Sequence, residues 1–479
     1  MNIAMLLDMG ADANGDRVAV GPRDSGLTYA ALRRIATGIG AHVNVAGAHT
    51  VALMHETSAL VPATLFGAAW AGAAYAPVNY RLPEATRQEL LHRLQPAEVA
   101  DDTWLEFPEE PARQFPDHPS RPAVLMFTSG TSAEPKAAIL EHDQLLAYIL
   151  NTVEFASADE DEAVLIAAPP FHIAGVVAVL TSTYAGRRMV PLPQFSAEEW
   201  LTVAREQAAT HAFVVPTMLA RIVNVMEGDD DARVPSMRHL TYGGARMPAP
   251  VLERALRLFP DTGFVNAYGL TETSSTVSIL GPDEHREAFE SSDPSVRARL
   301  SSAGRPLAGI EVRVVDNPGD EVTTGTSGEV LIRGAQVSGD YVDQDSKRDA
   351  DGWLRTGDRG YFDNEGYLFV EGRGDDTIIR GGENIAPGEV EDALLHHPAV
   401  ASAAVVGLPD DEWGERVAAM VSLRANASAT PDELRDWVRE RVGSLKTPDT
   451  LAVRDELPHT ATGKILRREV KAELTQLEG

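Results

Sequence analysis

The chain has 479 residues and a formal net charge of −29, a balance that excludes a general grip on nucleic acid or anionic lipid. Its 44% hydrophobic and 24% charged residues are an ordinary globular mixture, and the length calls for two or three domains. The absence of cysteine excludes disulfides, thiolate metal sites and cysteine nucleophiles.

The start, Met1-Asn2-Ile3-Ala4-Met5-Leu6-Leu7-Asp8, has neither a basic segment nor a sustained apolar run, so a soluble cytoplasmic protein without a leader is expected. Thr28 is placed to cap a helix over 29–40. The apolar stretch 58–76 is broken by Gly67 and Gly72, which predicts a buried helix and strand rather than a membrane span. Residues 107–122, rich in proline and charge, read as a surface loop before an apolar strand at 123–127. Strands at 164–168, 212–215, 240–241 and 263–267 then alternate with helices near 197–209 and 217–226. Such alternation predicts α/β architecture, with helix-covered, largely parallel sheets. From Ile310 short strands with Gly/Asp turns, at 311–316 and 329–333, predict a small barrel or antiparallel sheet. Past Gly372-Arg373-Gly374-Asp375-Asp376, the expected boundary, comes a small α+β unit. It has helices at 387–396 and 431–442, strands at 400–407 and 416–423, and a last helix from Ile465. The expected division is 1–372 and 373–479.

Several strand ends carry polar or glycine-rich sequences. Thr128-Ser129-Gly130-Thr131-Ser132-Ala133-Glu134-Pro135-Lys136 offers backbone N–H groups, hydroxyls and a cation, which suits a polyphosphate. It lacks the Gly-Lys-Ser/Thr ending of a Walker A loop. Pro170-Phe171-His172 puts a histidine after a strand, and alone it fits a structural role as well as a functional one. Tyr242-Gly243-Gly244-Ala245 would let a flat ring approach the backbone. Ala267-Tyr268-Gly269-Leu270-Thr271-Glu272 supplies an aromatic face, a hydroxyl and a carboxylate, enough for a base, a phosphate and Mg²⁺. The carboxylate of Asp358, in Arg355-Thr356-Gly357-Asp358, can accept from both hydroxyls of a ribose. The pair His396-His397 reads as a helix end, and no metal-ligand cluster or Gly-x-Ser-x-Gly elbow is present. Lysine is scarce: Lys136, Lys347, Lys446, Lys464 and Lys471 are all there are, and Lys464 sits in Thr460-Ala461-Thr462-Gly463-Lys464-Ile465.

The order of these sequences resembles the adenylate-forming superfamily of acyl-CoA synthetases, nonribosomal adenylation domains and luciferases. Gly328-Glu329-Val330-Leu331-Ile332-Arg333-Gly334, Gly382-Glu383-Asn384-Ile385 and Leu445-Lys446-Thr447-Pro448 extend the resemblance from about Leu27 to Leu474. It implies that a carboxylate attacks the α-phosphate of Mg·ATP, releasing pyrophosphate and leaving an acyl-adenylate, which a thiol of coenzyme A then attacks. It further implies that Lys464 reaches the carboxylate and ribose, that Thr128, Ser129, Gly130, Thr131 and Lys136 hold the β/γ-phosphates, and that Thr271 holds the α-phosphate. Glu272 would bind Mg²⁺, Gly243, Gly244, Ala245, Ala267, Gly269 and Tyr268 would enclose adenine, and Asp358 and Arg373 would bind ribose. The small C-terminal domain would turn about Asp375, withdrawing Lys464 and bringing Gly382 and Glu383 to the thiol tunnel. Arg81 and Trp413 are further candidates for coenzyme A contact, against the plainer readings of a surface arginine and a core tryptophan.

The chain departs from the resemblance at Ala133 and Ala137, where glycine is usual; alanine there would cost about 1 kcal/mol if the native φ were positive. The region 82–128 is also short. The aspartate that holds an amino-acid ammonium is replaced by Phe171-His172-Ile173, which argues against an α-amino acid. The acid pocket is expected to draw on His172, Val215, Met218, Tyr242, Gly243, Ala267, Gly269 and Ser274, an apolar lining that suits an aliphatic or aromatic acid. The short span 334–355 favours coenzyme A as acceptor. The alternative is an acyl-AMP ligase that loads a carrier protein or a nitrogen nucleophile, or that activates an unusual acid. A stand-alone ligase is expected, as a monomer or a homodimer.

Overall fold

The computed structural model describes residues 1–108, 115–117, 119–128, 135–226, 233–316, 319–342, 344–381, 383–410, 413–460 and 465–477. The first helix expected from sequence forms over Tyr29–Ala46, and the Thr28 side chain caps it by accepting from the Ala31 N–H. It lies against the helix Leu60–Ala71. That contact is close because Gly67 faces the Ile39 side chain and Gly40 faces Trp70, where a β-carbon would collide or crowd. Leu60–Ala71 is buried on every side, which is why no polar stripe marks it, and the strand Ala74–Pro77 follows it. Two residues of the expected loop are packed rather than open: Phe107 lies against His42 and Trp104, and Phe115 against Trp70.

Two sheets built mainly of parallel strands form the body. One has nine strands, in the order Arg305–Pro306, Ser275–Leu280, Gly263–Leu270, His239–Gly243, His211–Val214, Ala163–Ile166, Arg188–Pro191, Val18–Val20 and Leu27–Thr28. Its central strands, from Gly263–Leu270 to Val18–Val20, run parallel. The other has five strands, in the order Ala97–Ala100, Thr50–Leu53, Ala74–Pro77, Val124–Thr128 and Lys136–Leu140, parallel except for the last pair. One apolar core binds the five-stranded sheet to helices Tyr29–Ala46, Leu60–Ala71 and Ile173–Ala185, and a second lies under the helices Ala197–Glu206, Pro216–Met226 and Ala249–Leu258.

The short strands after Ile310 form a four-stranded antiparallel meander: Ile310–Val315, Gly328–Gly334, Leu354–Phe362 and Leu368–Arg373. Beyond it a separate five-stranded sheet, with its own cores, is made by Glu383–Ile385, Ile378–Arg380, Gly414–Leu423, Val400–Asp410 and Thr450–Arg454. Helices Pro387–Leu395, Pro431–Val442 and Arg467–Gln476 cover it. No helix among the described residues is long and apolar enough to cross a membrane.

The nine-stranded sheet closes at Gly304, whose φ of +75° and lack of a side chain let the chain turn directly beneath the Ile279 carbonyl. Gly304→Ala therefore combines a left-handed alanine with a backbone collision, and urea unfolding is expected to show a loss of about 3 kcal/mol or more.

Candidate active site

The polar segments singled out in the sequence follow the carboxyl ends of parallel strands, where open α/β sheets place their ligands. Thr128 ends Val124–Thr128, Gly243 ends His239–Gly243, and Tyr268 to Glu272 close Gly263–Leu270. His172 lies just past Ala163–Ile166, and Val215 past His211–Val214. Gly243 and Ala267 are register partners on neighbouring strands, so close that a β-carbon on Gly243 would strike the Ala267 carbonyl oxygen. The next turn exposes Gly244, at φ +80°, and Ala245 to solvent.

Two carboxylates mark the edges of this region. Asp358 has only 8% of its side chain exposed; it accepts from the Tyr268 hydroxyl at 2.7 Å and pairs with Arg373 Nε at 3.1 Å. Arg373 also donates to the Thr356 carbonyl at 2.7 Å, so its guanidinium is fixed on both sides. The structure therefore brings Tyr268, Asp358 and Arg373 together. The Tyr268 hydroxyl, however, is committed to Asp358, and burial together with that negative charge holds its pKa well above the ordinary phenol value.

Glu272 sits in the short turn Thr271–Thr273 with 15% of its side chain exposed. Burial would raise its carboxyl, but hydrogen bonds from Tyr341 and its own backbone, with the charge of Lys347, outweigh that and hold it below the ordinary value. The Tyr341 hydroxyl donates to Glu272 Oε1, and Lys347 Nζ lies 3.2 Å from the same oxygen and 2.9 Å from the Tyr341 hydroxyl. Among the described residues these side-chain hydrogen bonds all fall on Oε1. An ionised carboxylate so held fits one protein ligand of a Mg²⁺ that takes its other oxygens from phosphate and water. No cluster of three or more potential metal ligands occurs among the described residues.

The turn that carries Glu272 is held under strain. Ser274 and Ser275 have φ of +53° and +112°, rare for residues with a β-carbon. Gln336, almost fully buried, donates both amide hydrogens to the Thr273 and Thr276 carbonyls at 2.9 and 2.8 Å, and the Ser338 N–H donates to the Glu272 carbonyl at 2.7 Å. Residues 338–342 in turn bond to the strand Lys136–Leu140, through Ile139 to Asp340, Val342 to Ala137, and the Ser338 hydroxyl to Ile139. The strand next to the polyphosphate segment is thereby tied to the Glu272 turn.

Other expected residues fall less simply. Lys464, Gly382 and the segment containing Ser129, Gly130, Thr131 and Ala133 lie outside the described residues. Thr128 and Lys136 face each other in register across their strand pair. Ala137 is in extended strand and not at positive φ, so the conformational cost anticipated there does not arise. His172 caps the helix Ile173–Ala185, its Nδ1 accepting from the Ala174 N–H at 3.2 Å. Tyr242 is not a lining side chain: it is fully buried in the second core and gives its hydroxyl to His285 Nε2 at 2.9 Å. Val215 and Met218 are half-buried, and Ser274 is buried with no hydrogen-bond partner for its hydroxyl among the described residues.

Trp413 is not a core residue. It is 42% exposed and lies over Gly381, whose φ of +59° and missing side chain make room for the indole. Glu383 follows in the adjacent strand. Arg81 stands over the Tyr80 ring, which meets Phe171 edge-on, on the side of the site that carries His172. Asp375 lies exposed in the turn Gly374–Asp376, between the meander and the C-terminal sheet. Sequence reasoning missed Tyr341, Lys347, Gln336 and Arg246. Arg246, one residue past the Gly243–Ala245 turn, pairs with Asp392 at 2.5 Å and packs on Gly388 of the C-terminal unit.

The strand-end segments thus carry one sheltered carboxylate, Glu272, and reach a second, Asp358, through Tyr268. The sequence profile described as AMP-binding enzyme matches residues 89–342, and that described as AMP-binding enzyme C-terminal domain matches 389–464. The chain belongs to the AMP-binding enzyme family. It is 31% identical to the fatty acid–[acyl-carrier-protein] ligase ScoC of Streptomyces coeruleorubidus over 93% of this chain and 91% of that one. It is 34% identical to the 2-succinylbenzoate–CoA ligase of Bacillus subtilis (strain 168), over 80% of this chain and 76% of that one. Among solved structures, the o-succinylbenzoate CoA synthetase of Bacillus subtilis with its acyl-adenylate intermediate aligns with a TM-score of 0.82 at 30% identity, over 97% of each chain. The same synthetase has also been solved with ATP and magnesium ion.

Because Tyr341 supports only the ionised form of Glu272, Tyr341→Phe should destabilise the fold by about 2 kcal/mol near neutral pH, the scale of a hydrogen bond to a charged group. The Glu272 pKa is depressed in the folded state, so this contribution is present above the carboxyl's unfolded pKa and is lost as pH falls through the folded one. Denaturant titrations of the two proteins should therefore converge in acid; a gap that persists there would reject the assignment.

Proposed function

We propose that this chain is an AMP-forming acid–thiol ligase. It joins a carboxylic acid to the α-phosphate of ATP with release of pyrophosphate, then passes the acyl group to the thiol of coenzyme A. The observation that carries this reading is a pair of sheltered carboxylates, Glu272 just past the strand Gly263–Leu270, held charged by Tyr341 and Lys347, and Asp358 in the meander, bonded to Tyr268 of that same strand and to Arg373. The names of the relatives, a CoA ligase and an acyl-carrier-protein ligase, support it.

The reaction brings two anions together, so the site must neutralise charge with groups that need little reorganisation. In this reading Thr128, Lys136 and the hydroxyls of 129–131 take the β- and γ-phosphates, Thr271 the α-phosphate, and Asp358 with Arg373 the ribose. The backbone of Gly243–Ala245 and the ring of Tyr268 take adenine. Glu272 would hold Mg²⁺, which when bound offsets phosphate charge. Lys464 supplies the cation that approaches the carboxylate. His172, Val215, Met218, Gly269 and Ser274 border the acid, and Glu383, Gly382 and Trp413 border the pantetheine. We divide the chain into a body of residues 1–372 and a unit of 373–479 that turns about Asp375 between the half-reactions. A cytoplasmic location accords with the use of ATP and coenzyme A.

A second reading, transfer to a carrier protein, is favoured by the fatty acid–[acyl-carrier-protein] ligase named above, which aligns over nearly the whole chain. The two separate in one experiment: pyrophosphate release is measured with a panel of aliphatic and aromatic acids, with and without coenzyme A or a carrier protein. Release and thioester formation with coenzyme A are expected. Release without that thioester would support the carrier reading, and no release with any acid would reject both.

Lys464→Ala should lower the rate of pyrophosphate release by a factor of about 10²–10³, as for the loss of one preorganised donor. Asp375→Pro should leave adenylation nearly intact while impairing thioester formation, because the ring fixes φ at the hinge. Equal loss of both half-reactions would refute the hinge.

A further inference from the structure

In the reading above Lys347 only helps to hold Glu272 charged and is given no contact with a ligand, although lysine is used only five times in the chain. Its ammonium has a defined seat: 3.2 Å from Glu272 Oε1, 2.9 Å from the Tyr341 hydroxyl and 4.8 Å from the centre of the Tyr341 ring. Its backbone is also anchored, with the Lys347 N–H donating to the Gly339 carbonyl at 2.9 Å and the next residue bridging to Leu354. Nearly half of the side chain, 46%, is open to solvent, so the amine is free to leave its carboxylate without unfolding anything.

One carboxylate cannot give its full charge to two cations at once. A lysine held against Glu272 keeps the sheltered carboxyl neutralised before any metal arrives, and a divalent ion must then outbid it. We propose that Lys347 is a resident counter-charge that competes with the divalent cation for Glu272 and so sets the Mg²⁺ requirement of nucleotide binding. This rests on the reading of Glu272 as the Mg²⁺ ligand. Tyr341 links the two partners by donating to the carboxylate while accepting from the amine. The same contacts keep the lysine within reach of the site after displacement.

The test needs no turnover. Binding of α,β-methylene-ATP to the full chain is followed by calorimetry across a Mg²⁺ series, without acid or coenzyme A. In Lys347→Met the Mg²⁺ concentration for half-maximal binding should fall about threefold, the scale of a partly exposed ion pair. Lys347→Arg should stay near the parent, and Lys347→Gln should repeat the effect of methionine if that residue disturbs packing on Tyr341. In a Glu272→Gln background the Lys347→Met effect should vanish. An unchanged or increased Mg²⁺ requirement in both Lys347→Met and Lys347→Gln would overturn the proposal, as would an effect that survives in Glu272→Gln. If the parent failed to bind the analogue at any Mg²⁺ concentration, the nucleotide reading would fall and this inference with it.

Discussion

Glu272 and Asp358 each keep a carboxylate where little water reaches it, and each is supported by one phenol and one cation. For Glu272 these are Tyr341 and Lys347; for Asp358 they are Tyr268 and Arg373. A sheltered charge without partners costs several kcal/mol, so both seats constrain what surrounds them. The phenols come from separate parts of the chain, the end of a central strand and the segment beside Lys136–Leu140. Holding the carboxylates therefore also fixes the nine-stranded sheet, the meander and the five-stranded sheet relative to one another.

That constraint explains the strained turn at Ser274 and Ser275. Positive φ at two residues with β-carbons is unfavourable, and Gln336 offsets it by spanning the turn with both amide hydrogens. The turn aims Glu272 away from the sheet and towards Tyr341. Gly269 serves the same end, because a β-carbon there would collide with the Ser275 carbonyl. Local strain is thus concentrated two and three residues past Glu272.

Much of this was legible in the sequence because the informative residues punctuate apolar strands. Thr128, His172, Gly243 and Tyr268 each follow a run short enough and apolar enough to be a buried strand, and the structure puts all four at carboxyl ends. The helix Ile173–Ala185 was not legible, since it is apolar nearly all round and carries no polar face to set a period. Tyr242 was misplaced for a related reason: its strand is covered on both faces, so alternation did not say which side chains turn inward. The Tyr341–Glu272 contact spans 69 residues and has no local pattern. Trp413 depended on Gly381 beneath it, a relation only tertiary geometry reveals. Lys347 alone gave a clue, through the rarity of its residue type.

Arg246 ties the turn proposed for adenine to the helix Pro387–Leu395, through the Asp392 carboxylate and the bare backbone of Gly388. Swinging that helix away strips the guanidinium of its partner and opens Asp392, whose burial already raises its pKa, to water. On the proposed reading, occupancy of that turn and the stance of the C-terminal sheet share one free-energy balance. By reciprocity, whatever ligand steadies one must bias the other by the same amount.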